Sequence, residues 1–198
     1  EDIFNRTTAQ KIFSLGHEKI AIKLSDFPFE CLIGTLYAEA AASFENITLT
    51  DTDDTLTRQD PGAWPNAFRK ARFLSAVDHV QLDRLRMIAI DEMNAFFEDV
   101  DFIIGPMAVD SMLIVSNFTG HPCLQIPVGF EELATRNELS LASGKLELGV
   151  PSEHGKKHLV PRGVSIWAPL FQEDKLINFG KQIESLFEFF KNKPTNFS

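Results

Sequence analysis

The residues that could perform nucleophilic hydrolysis here are serines and cysteines, and they lack the neighbours that such chemistry requires. A nucleophilic hydrolase places a Ser or Cys beside a base, and converging backbone N–H groups hold the oxyanion. Glycine-rich turns usually supply those donors, because only Gly lets the backbone approach so closely. No serine lies between glycines, and the nearest match, Ala142-Ser143-Gly144, falls in a polar stretch that predicts a loop. With no G-x-S-x-G and no G-x-G-x-x-G either, the residues alone offer no catalytic set.

Patterns that could bind a metal are also weak. His154 and His158 are four residues apart, but Gly155 and two lysines between them favour a loop over a ligand-bearing helix face. The stretch 46–65 is rich in aspartate but lacks the carboxylate order, glycine and final glutamate of a calcium loop. It predicts a polar surface loop, with an acidic metal site as the alternative. His79 and His121 are interpreted as structural histidines, and we expect no metal and no cofactor.

Composition excludes several classes of protein. The 198 residues are 44% hydrophobic and 24% charged, which is typical of a folded globular chain. The formal net charge of −9 repels phosphate backbones, so general nucleic-acid binding is not expected. No apolar run approaches the roughly 20 residues of a membrane span. Cys31 and Cys123 lie in apolar surroundings without metal spacing, which predicts two buried thiols in a reducing cytoplasm. Because the chain begins at Glu1 rather than Met, we expect it to be part of a longer polypeptide.

The first half of the chain predicts helices around one short strand. Residues 7–15 have helical apolar spacing and end at Gly16, and residues 20–24 predict a strand. A helix with Pro28 in its first turn follows, and residues 66–99 predict a long helix with a break near Ser75. The apolar faces of these two helices comprise Phe29, Leu32, Ile33, Leu36 and Ala40, and then Leu82, Leu85, Ala89, Met93 and Phe96. The second helix also carries Arg69, Arg72, Arg84 and Arg86, which predict a solvated or ion-paired face, with a clamp for a ligand carboxylate as the alternative.

The second half predicts most of the sheet. Residues 101–104 predict a strand buried on both faces and stopped by Gly105 and Pro106. Residues 122–127 and 164–167 predict two more strands, separated by a polar insertion at about 131–158 that is interpreted as a hairpin or mobile loop. The final helix spans 173–191 and faces inward with Leu176, Gly180, Ile183, Phe187 and Phe190. The fold class is therefore α/β, with a sheet flanked by helices.

Four segments in order resemble the amidase signature family. Asn117 to Pro122, running into Ile126-Pro127-Val128-Gly129-Phe130, is similar to its "N-x-[TA]-G-x-P … P-x-G" pattern. The order and spacing agree over nearly the whole chain except the insertion. The other three segments are residues 64–86 (with the runs 64–73, 75–81 and 84–86), the strand 101–106 that ends in a proline, and residues 161–166 followed by 170–173.

The resemblance implies a hydrolase of carbon–nitrogen bonds, either amides or the glutamine side chain in glutamyl-tRNA amidotransferase-like relatives. It implies a mixed sheet flanked by helices and a Lys–Ser–Ser triad that needs no cofactor. The triad lies in the amino-terminal half of the family, and no such motif occurs here. We therefore expect residues 1–198 to be a carboxy-terminal part that completes the sheet and the substrate cleft and is inactive alone. Its partners would be the amino-terminal half and a small-molecule amide, with a homodimer as a further alternative.

The expected cleft residues follow the strand at 101–104, because ligands of open α/β sheets bind beyond strand ends. They are Gly105, Pro106, Met107, Asp110 and Asn117. In some family members a carboxylate at the spacing of Asp110 meets a substrate amine. For the Asn117 to Pro122 motif, turn formation is the main interpretation and pocket lining the alternative.

Two other functions remain open on sequence grounds. One is a free-standing binding or subunit module derived from an amidase, and the other is an unrelated α/β regulatory domain. The amidase-part hypothesis predicts exposed apolar surface where the missing half packs, for instance at Ile103 and Ile104 or along the stripe from Leu82 to Phe96.

Overall fold

A computed structural model describes residues 3–107, 111–134 and 156–192, which form a three-stranded sheet with helices packed on both of its faces. The strands are β1 (Ile103–Pro106), β2 (Cys123–Ala134) and β3 (Lys157–Trp167). The helices are α1 (Ile3–Phe13), α2 (Ile33–Ser43), α3 (Glu45–Leu49), α4 (Trp64–Ala71), α5 (Ala76–Phe96), α6 (Ser111–Thr119) and α7 (Glu173–Phe187). Short 3₁₀ turns span Phe29–Leu32, Thr52–Thr55 and Phe189–Lys191. The predicted α/β class is confirmed.

The sheet has the strand order β1-β3-β2, and both pairs are antiparallel. β3 is central because its residues pair on both sides, with Ile166 opposite Ile104 of β1 and Leu124 of β2. A register shift between Pro127 and Gly129 marks an irregularity in β2. The three described strands are antiparallel, so the parallel pairs of a mixed sheet would have to come from strands outside the described residues.

The two faces of the sheet are buried against different helices. On one face, Val164 and Ile166 pack with Ile12 of α1 and with Leu176 and Ile183 of α7; we call this group the α7 cluster. On the other face, the α5 cluster brings together Phe29, Leu32, Ala89, Met93, Ile103, Val115 and Trp167. Because side chains alternate along a strand, Ile103 joins the α5 cluster while Ile104 packs against the α7 cluster. The prediction that this strand is covered on both faces is confirmed.

The break predicted near Ser75 is confirmed, and it occurs because Ser75 caps the amino-terminal end of α5. The Ser75 Oγ accepts a hydrogen bond of 3.0 Å from the Asp78 backbone N–H at the start of α5. Such an N-cap satisfies one of the unpaired N–H groups of the first helical turn. The preceding helix α4 carries Pro65 in its first turn, where the missing N–H costs nothing.

The apolar stripe of α5 is covered within this chain, which corrects the expectation that it is exposed. Ala89 and Met93 are fully buried in the α5 cluster, and Leu85 and Phe96 pack against it. Ile103 is also buried. The exposed apolar residues of α5 lie at other positions: Val77, Val80, Met87 and Ile88.

The predicted strand at residues 20–24 is not formed. Residues 17–25 have no helix or strand, and Ile20 and Ile22 are 51% and 39% exposed. A strand requires a partner for its backbone hydrogen bonds, and no described strand lies beside this segment.

Several local predictions were wrong because burial depends on neighbours that the sequence does not show. Cys31 and Cys123 are free but exposed rather than buried. Leu36 and Phe190 are exposed at 39% and 58%. Phe190 leaves the inward face because Glu188, at φ 51°, ends α7 in a left-handed cap.

Two segments predicted as loops contain more regular structure than expected. The polar stretch 46–65 contains most of α3 and the turn Thr52–Thr55. The two ends of the insertion pair with each other, since Ala134 of β2 lies opposite Lys157 of β3, and residues 135–155 between them lie outside the described residues. Ser143, Gly144 and His154 lie outside the described residues.

No helix in the described part of the chain is both long enough and apolar enough to cross a membrane.

Candidate functional site

Three of the predicted cleft residues lie together at the end of the edge strand β1. Gly105 pairs with Ser165 and Pro106 with Val164 on β3, and the Met107 backbone N–H donates to the Gly163 carbonyl at 3.1 Å. The backbone of this strand end is therefore fixed by the central strand. Whether these residues contact a substrate stays a prediction.

Gly105 belongs to a row of three neighbouring residues that crosses the sheet from β1 through β3 to β2. Ser165 lies between Gly105 and Gln125, on the face that also carries Trp167. Ser165 is 1% exposed, and its Oγ has no hydrogen-bond partner among the described atoms. A hydroxyl without an adjacent base is a weak nucleophile. The row therefore offers a buried polar group but no activated one.

Asn117 is part of α6 and not of a loop. Its side-chain Nδ2 donates to the Leu113 carbonyl at 2.7 Å, one helical turn back, and its side chain is exposed. Gly120 ends the helix with φ +78°, and its N–H donates to the Ser116 carbonyl at 3.0 Å. This is the left-handed conformation that glycine adopts without strain, and it supports the turn interpretation of the motif. Asp110 lies outside the described residues.

The start of α6 is tied to the first half of the chain. The Ser111 hydroxyl donates to Glu30 Oε1 at 3.3 Å. The sequence did not predict α6, because its central residues Met112 to Val115 form one apolar run without helical spacing. This helix carries Asn117 and begins next to the expected cleft.

His121 is a buried histidine with local partners. Its Nδ1 lies 2.9 Å from Thr119 Oγ1, and its ring stacks on Phe97 with 5.3 Å between ring centroids. Nε2 has no described partner, and the residue is 3% exposed. Burial lowers the pKa of His121 below its ordinary value. These contacts match the structural role expected from the sequence.

Stability is expected to decrease as the pH falls through the ordinary histidine pKa of about 6.5. Because burial lowers the pKa of His121 in the folded state, the unfolded state binds this proton at higher pH. The free energy of unfolding therefore falls with the pH until the folded pKa is also passed. Urea denaturation between about pH 8 and about pH 5 measures this slope. His121→Asn should flatten it, whereas His79→Asn, at an exposed residue of α5, controls for the loss of an imidazole. An unchanged slope in H121N would contradict the assignment.

The four arginines in and between α4 and α5 contact carboxylates and an amide of this chain. Arg69 Nη2 lies 2.8 Å from Asp53 Oδ2 and 2.7 Å from Asp54 Oδ1. The remaining pairs are Arg72 with Glu45 at 3.2 Å, Arg86 with Asp83 at 2.6 Å, and Arg84 with Gln81 at 3.4 Å. The ion-paired interpretation is confirmed for Arg69, Arg72 and Arg86, and within the stretch 46–65 Asp53 and Asp54 are the partners of Arg69.

A cavity of about 570 Å³ opens beside β1. Gly105 and Pro106 line it, so two of the predicted cleft residues reach this space. Its remaining wall was not predicted as part of a site. The lining comprises residues of α1 (Asn5, Ala9, Ile12, Phe13), residues 17–22, residues 99–106, Val164 and Phe179. The alternating apolar residues Ile20 and Ile22 were the available signal, but alternation along a chain indicates a strand and does not indicate a cavity wall.

Comparison with known proteins identifies what this arrangement is similar to. No protein-family model matches the chain. The A subunit of glutamyl-tRNA(Gln) amidotransferase from Pseudomonas fluorescens (strain SBW25) is 28% identical over 119 residues, which are 60% of this chain and 23% of that protein. The solved 6-aminohexanoate cyclic dimer hydrolase matches 96% of this chain with a TM-score of 0.66 at 14% identity. A bacterial aryl acylamidase of the amidase signature family matches 96% with a TM-score of 0.61 at 15% identity.

The extent of these matches is informative. The chain spans about a quarter of the curated relative and 42% of each of the two solved enzymes. At these identities the solved structures establish the fold, while the curated relative adds similarity of sequence. The predicted resemblance is confirmed: the chain is amidase-signature-like in sequence and fold, and it spans only part of the length of the proteins it resembles.

Proposed function

We propose that this chain is the carboxy-terminal part of an amidase-type hydrolase that acts on carbon–nitrogen bonds. In that protein it completes the sheet and one wall of the substrate cleft. The activated serine and its lysine base come from the amino-terminal part. The free cysteines are compatible with our placement of the protein in the cytoplasm.

The observation that carries the proposal is the match of nearly the whole chain to less than half of each solved enzyme. The hydrogen bonds of the serines also fit a part without a nucleophile. Ser116 donates to the Leu113 carbonyl, Ser111 donates to the Glu30 carboxylate, and Ser165 has no described partner. None of these three hydroxyls has a described lysine beside it as a base, which a Lys–Ser–Ser mechanism requires.

The purified chain is therefore expected to hydrolyse no simple amide. The test incubates it with the 6-aminohexanoate cyclic dimer and, separately, with an aryl acylamide, and it follows product release by chromatography. The expected rate equals that of a protein-free blank. Turnover that Ser165→Ala abolishes and Ser185→Ala preserves would overturn the proposal, because Ser165 is the buried hydroxyl and Ser185 is an exposed one on α7.

A second measurement concerns the natural polypeptide. The reading frame upstream of the codon for Glu1 is expected to encode a glycine- and serine-rich stretch with a lysine before it. A reading frame that starts at this chain, together with a compact protein that melts cooperatively, would instead indicate a free-standing binding or subunit module.

A further inference from the structure

Helix α5 has a second stripe of residues, on the side that faces away from the α5 cluster. We propose that two copies of this chain pair through this stripe, with their α5 helices antiparallel. The pairing is independent of the proposed hydrolase function, because it uses no residue of the expected cleft.

The stripe, which we call the outer face, runs nearly the whole length of α5. In a helix of 3.6 residues per turn, its positions fall within about 100° of the circumference. The opposite side of the helix carries Leu85, Ala89, Met93 and Phe96, which belong to the α5 cluster or pack against it. α5 is thus apolar on two sides, and the described part of the chain covers one of them. The outer face comprises Val77, Val80, Arg84, Met87, Ile88, Asp91 and Ala95.

The large apolar residues of the outer face are exposed. Val77, Val80, Met87 and Ile88 are 68%, 52%, 55% and 47% exposed. Single exposed apolar residues are normal on a protein surface, but a contiguous patch marks an interaction site. The turn Phe29–Leu32 and α6 pack on the other side of α5 through the α5 cluster, so they leave the outer face accessible.

Two opposite charges interrupt this apolar stripe, and neither has a countercharge in the described part of the chain. The three other arginines described above contact carboxylates, whereas the described contact of Arg84 is with the Gln81 amide at 3.4 Å. Asp91 takes part in no described ion pair. The positions three and four residues away from Arg84 and from Asp91 carry no charge, so the helix itself offers neither a partner. Both charges therefore await a partner outside the helix.

An antiparallel pair of α5 helices satisfies both charges at once. A two-fold axis between Met87 and Ile88 is equally far from positions 84 and 91, so it places Arg84 of each copy opposite Asp91 of the other. The same axis places Met87 opposite Ile88, and Val80 opposite Ala95. An apolar centre is then flanked by two equivalent ion pairs. Such a contact is isologous, which is the form that closes a two-fold dimer.

The charges also select the occupant and its direction. A parallel pair of α5 helices would place Arg84 opposite Arg84 and Asp91 opposite Asp91, and like charges in contact are unfavourable. A partner whose surface has a single sign of charge would repel one of the two side chains. A second copy of this chain offers the opposite charge at both positions with the required spacing.

The outer face is small for a permanent interface. α5 spans 21 residues and is therefore about 31 Å long. One face of one helix buries less area than the roughly 1,200 Å² at the lower limit of stable interfaces. We therefore expect an equilibrium between monomer and dimer that depends on protein concentration.

The test is sedimentation equilibrium of the chain over a range of concentrations, combined with charge reversal. The average mass of the unmodified chain is expected to rise from monomer toward dimer. Arg84→Glu and Asp91→Arg each bring like charges together at both contacts, and each should raise the dimer Kd at least ~10-fold. The double variant restores two opposite pairs with exchanged signs, so its Kd should return to within about threefold of the unmodified value.

Mixing the two single variants tests the register directly. In a mixed dimer the R84E chain presents two acidic side chains and the D91R chain presents two basic ones, so both contacts join opposite charges. The two variants are therefore expected to be monomeric separately and to dimerise when mixed in equal amounts. A dimer formed through any other surface would not show this dependence.

Two isoleucines of similar exposure provide a matched pair for the apolar centre. Ile88→Glu places a carboxylate at the two-fold axis and should raise the dimer Kd at least ~10-fold. Ile177→Glu changes an isoleucine of α7 that is 49% exposed, and it should leave the Kd within about twofold. Circular dichroism of every variant establishes that it is folded.

Three results would overturn the proposed pairing. They are a chain that stays monomeric at every concentration, a dimer that R84E, D91R and I88E leave intact, or folded R84E and D91R chains that do not associate when mixed. The first result would leave the outer face to a different occupant, such as the remaining part of the amidase. If one single variant fails to fold, the double variant and I88E still decide the question. None of these results changes the expected outcome of the amide hydrolysis test.

Discussion

Replacing Gly163 with alanine is expected to lower the free energy of unfolding by about 3 kcal/mol, which is the upper part of the range for inserting atoms into a packed core. Gly163 is buried in the central strand, opposite Pro127 at the irregularity of β2. A Cβ there would lie less than 3.0 Å from the Ile126 carbonyl oxygen and from the Met107 methyl. The methyl can rotate away, but the carbonyl belongs to a paired strand and cannot move without breaking the register. Urea denaturation of both proteins measures the loss.

Gly180→Ala is the matched control. A Cβ at Gly180 would also come within 3.0 Å of another atom, but that atom is Leu124 Cδ2, the end of a flexible side chain. Gly180 lies inside α7, where alanine gains about 1 kcal/mol of helix propensity. The net change should therefore be about 1 kcal/mol or less. Equal losses for the two variants would show that the carbonyl contact at Gly163 does not limit packing.

The segments that sequence reasoning located well are those in which local chemistry and tertiary contacts agree. Ser75 caps α5 as its position predicts, and Leu176 and Ile183 of α7 are buried at their expected spacing. The strand at 101–104 was recognised from an apolar run before Gly105 and Pro106. In each case the side chains that define the element also make its packing contacts, so a pattern along the chain was sufficient.

The features that could not be predicted depend on contacts distant in sequence. Cys31 and Cys123 have apolar neighbours along the chain yet are exposed, because burial is decided by which elements pack over them. Residues 20–24 have a strand pattern but no described strand to pair with. The left-handed φ of Glu188, which turns Phe190 outward, is carried by a residue type that gives no such signal.

The candidate site was likewise predictable where it depends on local sequence and not where it depends on contacts distant in the chain. The sequence places a strand end near Gly105 and Pro106, but β1 spans Ile103–Pro106, so these two residues pair with β3 inside the strand instead of stopping it. The cavity beside them is built by α1 and residues 17–22, which are more than eighty positions away in the chain. Only the folded chain brings these segments together.

The buried carboxylate of Asp53 gives the other large expected effect. Asp53 is 1% exposed and lies at the turn Thr52–Thr55, and Arg69 of α4 is the cation beside it at 2.8 Å. Arg69 Nη2 is close enough to Asp53 Oδ2 for an ion pair, but the contact lacks the geometry of a hydrogen bond. The same Nη2 does donate a hydrogen bond to Asp54 Oδ1. The guanidinium therefore acts on Asp53 mainly through its charge.

Arg69→Met is expected to lower the free energy of unfolding by about 2–3 kcal/mol, because it leaves the Asp53 carboxylate buried without a countercharge. This is less than the 3–5 kcal/mol typical of a fully buried pair, since the Arg69 side chain is 39% exposed and water screens part of the attraction. Asp54→Asn removes the exposed partner of the same arginine and should cost less than about 0.5 kcal/mol. Combining Asp53→Asn with R69M should recover part of the loss, because the neutral amide needs no countercharge. If R69M is no less stable than D54N in urea denaturation, Arg69 does not stabilise the buried Asp53 carboxylate. Packing alone would then hold α4 to the turn.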